Sequence, residues 1–341
     1  MAFETEVLQP DHAAIGRAAS LLKAGEVVGI PTETVYGLAA NAFDREAIKK
    51  IFFAKGRPQD NPLIVHIEAF DQLRELVTDL PETAVILAKQ FWPGPLTMIL
   101  TKADRVPLET TGGLNTVAVR MPSHPVAREL IAACGFPLAA PSANLSGSPS
   151  PTTAAHVLQD MDGRIPLILD GGACEVGLES TVIAVQPDRV RLLRPGGITV
   201  EMLRAAVPVV EIDNGVLHQI DNNVKVSSPG MKYKHYAPKA HVVILDGSLA
   251  RYAAYVERHR EEPDVYALLF EGEEEAVSVP SLRYGAADDP ASQARGLFAC
   301  LRELDRLGAK TVYARCPEKA GVGLAVYNRL IRAAGFELIE I

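Results

Sequence analysis

The chain has 341 residues, of which 48% are hydrophobic and 22% charged, and its formal net charge is −8. That length exceeds one ordinary domain and predicts two, each with its own core, while the composition excludes a disordered or fibrous chain. The acidic balance argues against a broad nucleic-acid footprint, which needs Lys and Arg spread over a wide face to neutralise phosphates, so any anion site has to be local.

No run of eighteen apolar residues occurs, and MAFETEVLQPDHAA has no basic stretch leading into an apolar one. Neither a membrane span nor a signal peptide is expected, and the expected compartment is the cytoplasm. Cys134, Cys174, Cys300 and Cys316 are scattered without a C-x-x-C pair, which predicts core thiols rather than a zinc site or disulfides. Basic residues concentrate in Lys49 to Arg57 and Lys232 to Lys239. Such short stretches suit a small polyphosphate better than a duplex, although solvated surface is their commoner fate.

Along the chain, Ile15, Ala18, Ala19 and Leu22 recur at helical spacing between Asp11, a capping residue, and Gly25, predicting a helix from Asp11 to Lys23. VVGIP at Val27 to Pro31 predicts a buried strand that opens into the polar loop TETVYG. A second helix runs from about Asp44 to Lys55 and stops at Gly56. LIVHI, LTMILT, NTVAVRM, PLAAP, PLILDGG, STVIAV and VRLLRPG then read as strands, with helices near Glu82 to Gln90, Val126 to Cys134 and Thr153 to Gln159. Strands outnumber helices and two fall nearly back to back, so the expectation is a mixed sheet with helices packed on it.

A short helix ends near Ala206, and a polar segment rich in Asn, Ser, Pro and Gly follows. The reading is a first domain over 1–208, a linker over 209–240 and a second domain over 241–341. In the last, VVILD, VYALLF, TVYA and ELIEI alternate with helices at Ser248 to His259, Ser292 to Leu307 and Ala325 to Ala334. That alternation predicts a small parallel sheet with crossover helices, Rossmann-like in connectivity but without a G-x-G-x-x-G turn after its first strand. GVGLAVYNRL at Gly321 reads as a structural turn into a helix.

Two constellations carry chemistry. PTETVYGL at Pro31 to Leu38 and KGRPQDNPLIVHI at Lys55 to Ile67 combine hydroxyls and turn residues with Lys55 and Arg57, two cations just past a helix end. They suit a phosphate chain, beside the plainer reading that cations at a helix C-terminus answer its dipole. PLAAPSANLSGSPSPTT at Pro137 to Thr153 offers Ser142, Asn144, Ser146, Ser148 and Ser150 after a buried strand. No G-x-S-x-G elbow frames a nucleophile, so this loop reads as a ligand cradle. A Walker-type G-x-x-x-x-G-K-[ST] is absent from the sequence.

IPTETVYGLAANA, KGRPQDNPLIVHI, PGPLT at Pro93 to Thr97, AVRMPSHP and APSANLSGSPSPTT, in this order, resemble the YrdC-like threonylcarbamoyl-AMP synthase family from roughly Ile15 to Arg204. Its Lys-x-Arg and Ser-x-Asn signature falls on Lys55, Arg57, Ser142 and Asn144. SPGMKYKHYAP and the α/β tail resemble the long, two-domain branch. The resemblance implies an α/β fold: a twisted mixed sheet with a concave basic face, followed by the smaller Rossmann-like domain. It also implies ATP, L-threonine and bicarbonate as substrates, threonine carbamate attacking the α-phosphate, and pyrophosphate leaving. The threonylcarbamoyl-AMP would supply the adenosine next to the anticodon in tRNA through downstream tRNA threonylcarbamoyl transferase machinery, with weak tRNA binding as a further expectation. Mg²⁺ is expected to arrive on the ATP phosphates.

On that reading Lys55 and Arg57 are the catalytic cations that stabilise charge gathered at the α-phosphate. Asn61, Thr116, Ser142, Asn144, Ser150, Arg194 and Tyr236 join them around the nucleotide. Arg120 is expected to fork onto the threonine carboxylate, with Thr32, Thr34, His66 and Ser180 nearby. Plainer readings are a core histidine for His66, a hairpin turn for Ser180 and a surface salt bridge for Arg194. No general base is required, because a carbamate oxygen is already anionic. Lys232, Lys234, His235 and Tyr236 form a candidate lid that excludes water. Two other functions compete: a double-stranded RNA or tRNA-binding protein, and a carbamoyl transferase that uses carbamoyl phosphate.

Overall fold

The computed structural model describes residues 4–59, 61–218 and 236–341. In chain order the first part contains β1 (Glu6–Leu8), α1 (His12–Lys23), β2 (Val28–Ile30), β3 (Gly37–Asn41), α2 (Arg45–Lys55), β4 (Ile64–His66), α3 (Leu73–Leu76) and α4 (Glu82–Phe91). It continues with β5 (Leu96–Thr101), α5 (Leu108–Thr111), β6 (Thr116–Arg120), α6 (Pro125–Cys134), β7 (Leu138–Ala139), α7 (Ala154–Met161), β8 (Leu167–Leu169), β9 (Thr181–Val185), β10 (Val190–Arg194), α8 (Val200–Ala206) and β11 (Val210–Ile212). The second part contains β12 (His241–Asp246), α9 (Leu249–Arg258), β13 (Val265–Leu269), β14 (Ser281–Arg283), α10 (Pro290–Leu307), β15 (Thr311–Arg315), α11 (Gly321–Ala333) and β16 (Leu338–Glu340).

Helix ends follow local chemistry. Asp11 accepts from Ala14 N to open α1, Asp44 accepts from Glu46 N and Ala47 N to open α2, and Gly56 at φ 65° closes α2 in the left-handed region. Strands β1 to β11 form one mixed sheet in the order β1-β8-β2-β3-β7-β4-β6-β5-β9-β10-β11. The back-to-back pair β9 and β10 is an antiparallel hairpin with a register shift between Leu192 and Arg194. One face of the sheet packs Leu38, Val65, Met98 and Val119 against Ile48, Ile51 and Phe52 of α2. On the other face α1 and α6 cover Val28, Ile30, Ala39 and Leu167. The centre of that second face carries only a small apolar strip, Ile64, Ile99, Ala118, Val182 and Leu193, and there the functional residues assemble.

Strands β12 to β16 form a wholly parallel sheet in the order β14-β13-β15-β12-β16. The expected parallel sheet is therefore present, but β15 separates β12 from β13, which departs from the 3-2-1-4-5 order of the doubly wound nucleotide-binding fold. Helix α11 starts at Gly321, φ 53°, four residues ahead of the sequence reading, so the glycine turn does open the helix. Strands β1 and β14, three residues each, went unread because segments this short show little alternation, and β3, GLAAN, went unread because it is buried on both faces and built of small residues. β11 pairs in parallel with β10, so the large sheet extends into the span read as linker. Val35 and Leu178 of the first domain pack in one cluster with Tyr236, Leu297, Phe298 and Leu301, joining the domains through an apolar contact. All four cysteines are free, Cys134 and Cys174 buried, Cys300 and Cys316 half-buried. Among the described residues no helix is long and apolar enough to cross a membrane.

Candidate active site

Sheet register places distant residues side by side. His66 on β4 pairs with Arg120 on β6, Arg120 with Thr97 on β5, and Thr97 with Val182 on β9. Paired residues project to the same face, so the four share one row, in which His66 and Arg120 line a cleft while Thr97 and Val182 are fully buried beside them. Ser180 enters just before β9, and Arg194 just past the β10 bulge. Thr32 and Thr34 come from the loop after β2, Lys55 and Arg57 from the end of α2, Ser142 and Asn144 from the loop after β7, and Tyr236 from the first described residues before the second domain. His66, Arg120, Ser180, Arg194 and these seven loop residues, eleven in all, line one cleft.

At one end Arg120 is buried. Its Nη2 lies 2.7 Å from Glu33 Oε1, its Nη1 donates to Thr34 Oγ1 at 2.7 Å, and its Nε donates to Gly94 O at 3.3 Å. Thr32 donates its only hydroxyl proton to Val35 O at 2.6 Å, so in the 2.9 Å contact between Thr32 and Thr34 the proton belongs to Thr34. Charge and hydroxyls thus run in one chain from Glu33 to the loop backbone. Burial opposes the Glu33 carboxylate, but the Arg120 guanidinium overrides it and holds its pKa below the ordinary value. The fork of Arg120, expected to face a ligand, is partly turned to Glu33, an acid that the sequence reading passed over.

His66 is buried, and burial first, then Arg120, pushes its pKa down to about 3. The ring is neutral at ordinary pH, and its Nδ1 donates to Ile64 O at 3.2 Å. It is a core histidine that also lines the cleft.

At the other end Lys55 staples the serine-rich loop. Its buried Nζ donates to Ser142 O and, at 2.8 Å, to Asn144 O, and its own carbonyl accepts from Ser146 N at 3.0 Å. Ser142 Oγ donates to Asn144 Oδ1 at 2.5 Å, and Asn144 Nδ2 donates to Leu145 O and Ser148 O, both at 2.8 Å. Burial and then the neighbouring Arg57 press the Lys55 ammonium well below its ordinary pKa, while Asp160 and Glu179 oppose them. Arg57 lies 5.3 Å from the Phe52 ring centre. Arg194 is buried rather than on the surface; its Nε donates to Ser180 O at 3.1 Å and its Nη2 to Ser180 Oγ at 3.2 Å. Ser180 Oγ also contacts Thr97 Oγ1 at 2.7 Å, so this serine is more than a turn residue.

Three expected residues lie outside the cleft lining. Ser150 donates to Glu179 Oε1, a carboxylate that does line it. Asn61 is fully buried next to Pro62 of the lining, and among the described residues neither side-chain atom has a hydrogen-bond partner. Such an amide is costly unless a ligand or water completes it. Thr116 pairs with Thr101 at the far end of β6 from Arg120, roughly 13 Å along the strand. Lys232, Lys234 and His235 lie outside the described residues, whereas Tyr236 lines the cleft at φ 64°. Glu179 was the larger omission: its place next to Ser180 in the GLES stretch was the one signal in the sequence, since Arg329, which meets it, is distant in the chain.

Residues 20–196 match the Sua5–YciO–YrdC family, described as telomere recombination, and residues 198–335 match the C-terminal domain of threonylcarbamoyl-AMP synthase. The threonylcarbamoyl-AMP synthase of Bacillus subtilis is 47% identical, over 98% of this chain and 97% of its own length. That of Pyrococcus abyssi is 45% identical, over 95% of each. The crystal structure of P. abyssi Sua5 complexed with L-threonine superposes with a TM-score of 0.91 at 42% identity, covering 100% of both chains. Matching both family domains in order and its relatives end to end, this chain belongs to the Sua5–YrdC family in its long, two-domain form.

Proposed function

We propose that the cleft makes threonylcarbamoyl-AMP from ATP, L-threonine and bicarbonate, and that this product supplies threonylcarbamoyl to the adenosine next to the anticodon in tRNA. The observation that carries the reading is the convergence in one cleft of Lys55 and Arg57 with Ser142 and Asn144, beside the Arg120, Thr34 and Thr32 chain.

Threonine's amine and bicarbonate combine to a carbamate with loss of water. A carbamate oxygen then attacks the α-phosphorus, the bond to the bridging oxygen of the β-phosphate breaks, and pyrophosphate departs with that electron pair. Charge accumulates on the α-phosphate oxygens, where Lys55 and Arg57 stabilise it electrostatically without transferring a proton. Arg194, Ser142, Asn144 and Tyr236 hold the nucleotide, and the unsatisfied amide of Asn61 supplies a further hydrogen-bonding edge. Thr116 and Ser150 act at most from outside the lining, Ser150 through Glu179. For threonine, Arg120 has five N–H groups; Glu33, Thr34 and Gly94 engage three, leaving two for a carboxylate. Thr32, Thr34, His66 and Ser180 frame the rest of the amino acid.

Both cleft-side carboxylates are engaged by arginines, Glu33 by Arg120 and Glu179 by Arg329. Among the described residues no group of three or more His, Cys, Asp or Glu is arranged to hold a metal. On this reading Mg²⁺ enters as MgATP, carried on the phosphates of the substrate. The product passes to downstream tRNA threonylcarbamoyl transferase machinery in the cytoplasm, where ATP and tRNA are available.

The test is pyrophosphate release from MgATP with each component withheld in turn. Release that needs both threonine and bicarbonate is the expected result. Release indifferent to threonine would remove the assigned substrate. Carbamoyl phosphate substituting for threonine and bicarbonate would select a carbamoyl transferase, and steeply salt-dependent RNA binding without threonine-dependent release would select an RNA-binding protein.

A further inference from the structure

The second domain sends two buried arginines into the first. Arg302 of α10 holds Asp160 of α7 by both terminal nitrogens, Nη1 to Oδ1 at 3.1 Å and Nη2 to Oδ2 at 2.8 Å, and Nη2 also donates to Pro149 O at 2.6 Å. Asp160 Oδ2 accepts from Leu145 N at 3.1 Å. One guanidinium and its carboxylate therefore secure both ends of the stretch from Leu145 to Pro149. Arg329 of α11, with no exposed side-chain surface, donates Nε to Glu179 Oε2 at 2.7 Å and Nη2 to Glu179 O at 3.2 Å. The other Glu179 oxygen accepts from Ser150. The loop from Ser142 to Ser150 is thus held by Lys55 at its start and by the second domain along the remainder.

Desolvating two arginines and two acids is costly, and apolar side chains often join surfaces at least as well. The same interface does use apolar packing at Val35 and Leu178. What the charged contacts add is direction: a bidentate pair fixes where a backbone lies. Around the threonine end, by contrast, the bonds of Arg120 go to Glu33, Thr34 and Gly94, all in the first domain.

We propose that Arg302 is a positioning residue for the nucleotide: by holding Asp160 and Pro149 O, the second domain sets the geometry of the Ser142–Ser150 loop, and hence nucleotide affinity, through contacts separate from those of Arg120. The inference rests on the reading of that loop as the nucleotide cradle. Asp160 transmits the constraint through Leu145 N, and Arg302 does not need to touch substrate.

The experiment titrates full-length protein calorimetrically with Mg²⁺ and α,β-methylene-ATP, whose α,β link cannot be cleaved, and separately with L-threonine. Arg302→Lys keeps the charge and loses the fork; Asp160→Asn with Arg302→Gln removes both charges, so that no lone ion stays buried. In either variant, shown folded by circular dichroism, nucleotide affinity is expected to fall about tenfold or more, while threonine affinity changes by less than about twofold. Unchanged nucleotide affinity in a folded variant overturns the inference, as does an equal fall for both ligands, which marks a general structural role. Wild-type protein that fails to bind α,β-methylene-ATP sinks the nucleotide reading itself. A variant-free arm uses hydrogen exchange on the wild type. Adding the analogue should slow exchange in the 142–150 loop and in α10 around Arg302 together, since coupling is reciprocal; protection of the loop alone again overturns the inference.

Discussion

In the first domain, buried polar side chains such as Thr32, Lys55, His66, Arg120 and Arg194 gather around one sheet face and the loops at its strand ends. In the second, Gln293, Arg302, Asn328, Arg329 and Arg332 all lie on α10 and α11, and among the described residues its sheet buries no polar side chain. Arg302 and Arg329 reach Asp160 and Glu179, while Asn328 and Arg332 donate to Val216 O and Gly215 O at 2.6 and 2.7 Å. Gln293 instead donates within its own domain, to Ala286 O and Ala287 O; buried polarity otherwise collects at the cleft in one domain and at contacts with the rest of the chain in the other, because elsewhere its desolvation outweighs its return.

The contrast breaks if the buried charges of the cleft prove to be merely structural. Lys55→Ala removes the loop staple and a cation of the phosphate end, and kcat is expected to fall by about 10²–10³, read as pyrophosphate release by protein shown to be folded. A fall in stability with kcat intact would make Lys55 a staple only. Leu245→Ala, in the apolar core of β12 far from the arginines, sharpens the other side. It should lower unfolding stability by about 2–5 kcal/mol with KM for both substrates unchanged, measured by urea denaturation alongside steady-state kinetics. Arg120→Lys replaces a fork with a point charge, and KM for threonine should rise roughly 10–100-fold with KM for ATP nearly constant. Equal rises in both would mean that the two ends of the cleft are not separable.

The smallest effect is a pH dependence. His66 is neutral in the folded protein down to about pH 3, whereas an unfolded histidine takes up a proton near pH 6.5. Between those values the unfolded chain binds more protons, so the stability due to His66 is fully present above about pH 6.5 and is lost as pH falls toward 3, at up to about 1.4 kcal/mol per pH unit. Glu33 and Glu179, whose pKa values are lowered, add a loss in the same direction at lower pH, below the ordinary carboxylate range. Denaturation midpoints of His66→Gln should flatten between pH 6.5 and 5, and a slope there equal to that of the wild type would place the dependence elsewhere.

Most of the scaffold was readable in the chain, and so was the address of the cleft. Asp11, Asp44 and Gly56 cap as their types suggest, the long strands lie where apolar runs mark them, and the TETVYG, KGR and SAN segments meet in space. Less readable were β1, β3 and β14, the passage of β11 into the supposed linker, and the acids Glu33, Asp160 and Glu179 that hold the arginines. Thr116 shows the converse: a motif neighbour of Arg120 that strand length carries away from the cleft.

The dividing line is the range of the interaction. Caps, helical periodicity and turn residues act within about four positions, so the sequence alone settled the longer helices, the main strands and the cationic loops after them, but not the four-residue helices α3 and α5. Which acid would meet which arginine could not be read that way. Arg302 meets Asp160 across 142 residues and Arg329 meets Glu179 across 150, and those meetings follow from sheet order and from how two separately built domains pack. Composition supplied the charges; only the folded arrangement, by making an unpaired buried ion too costly to persist, decided their partners.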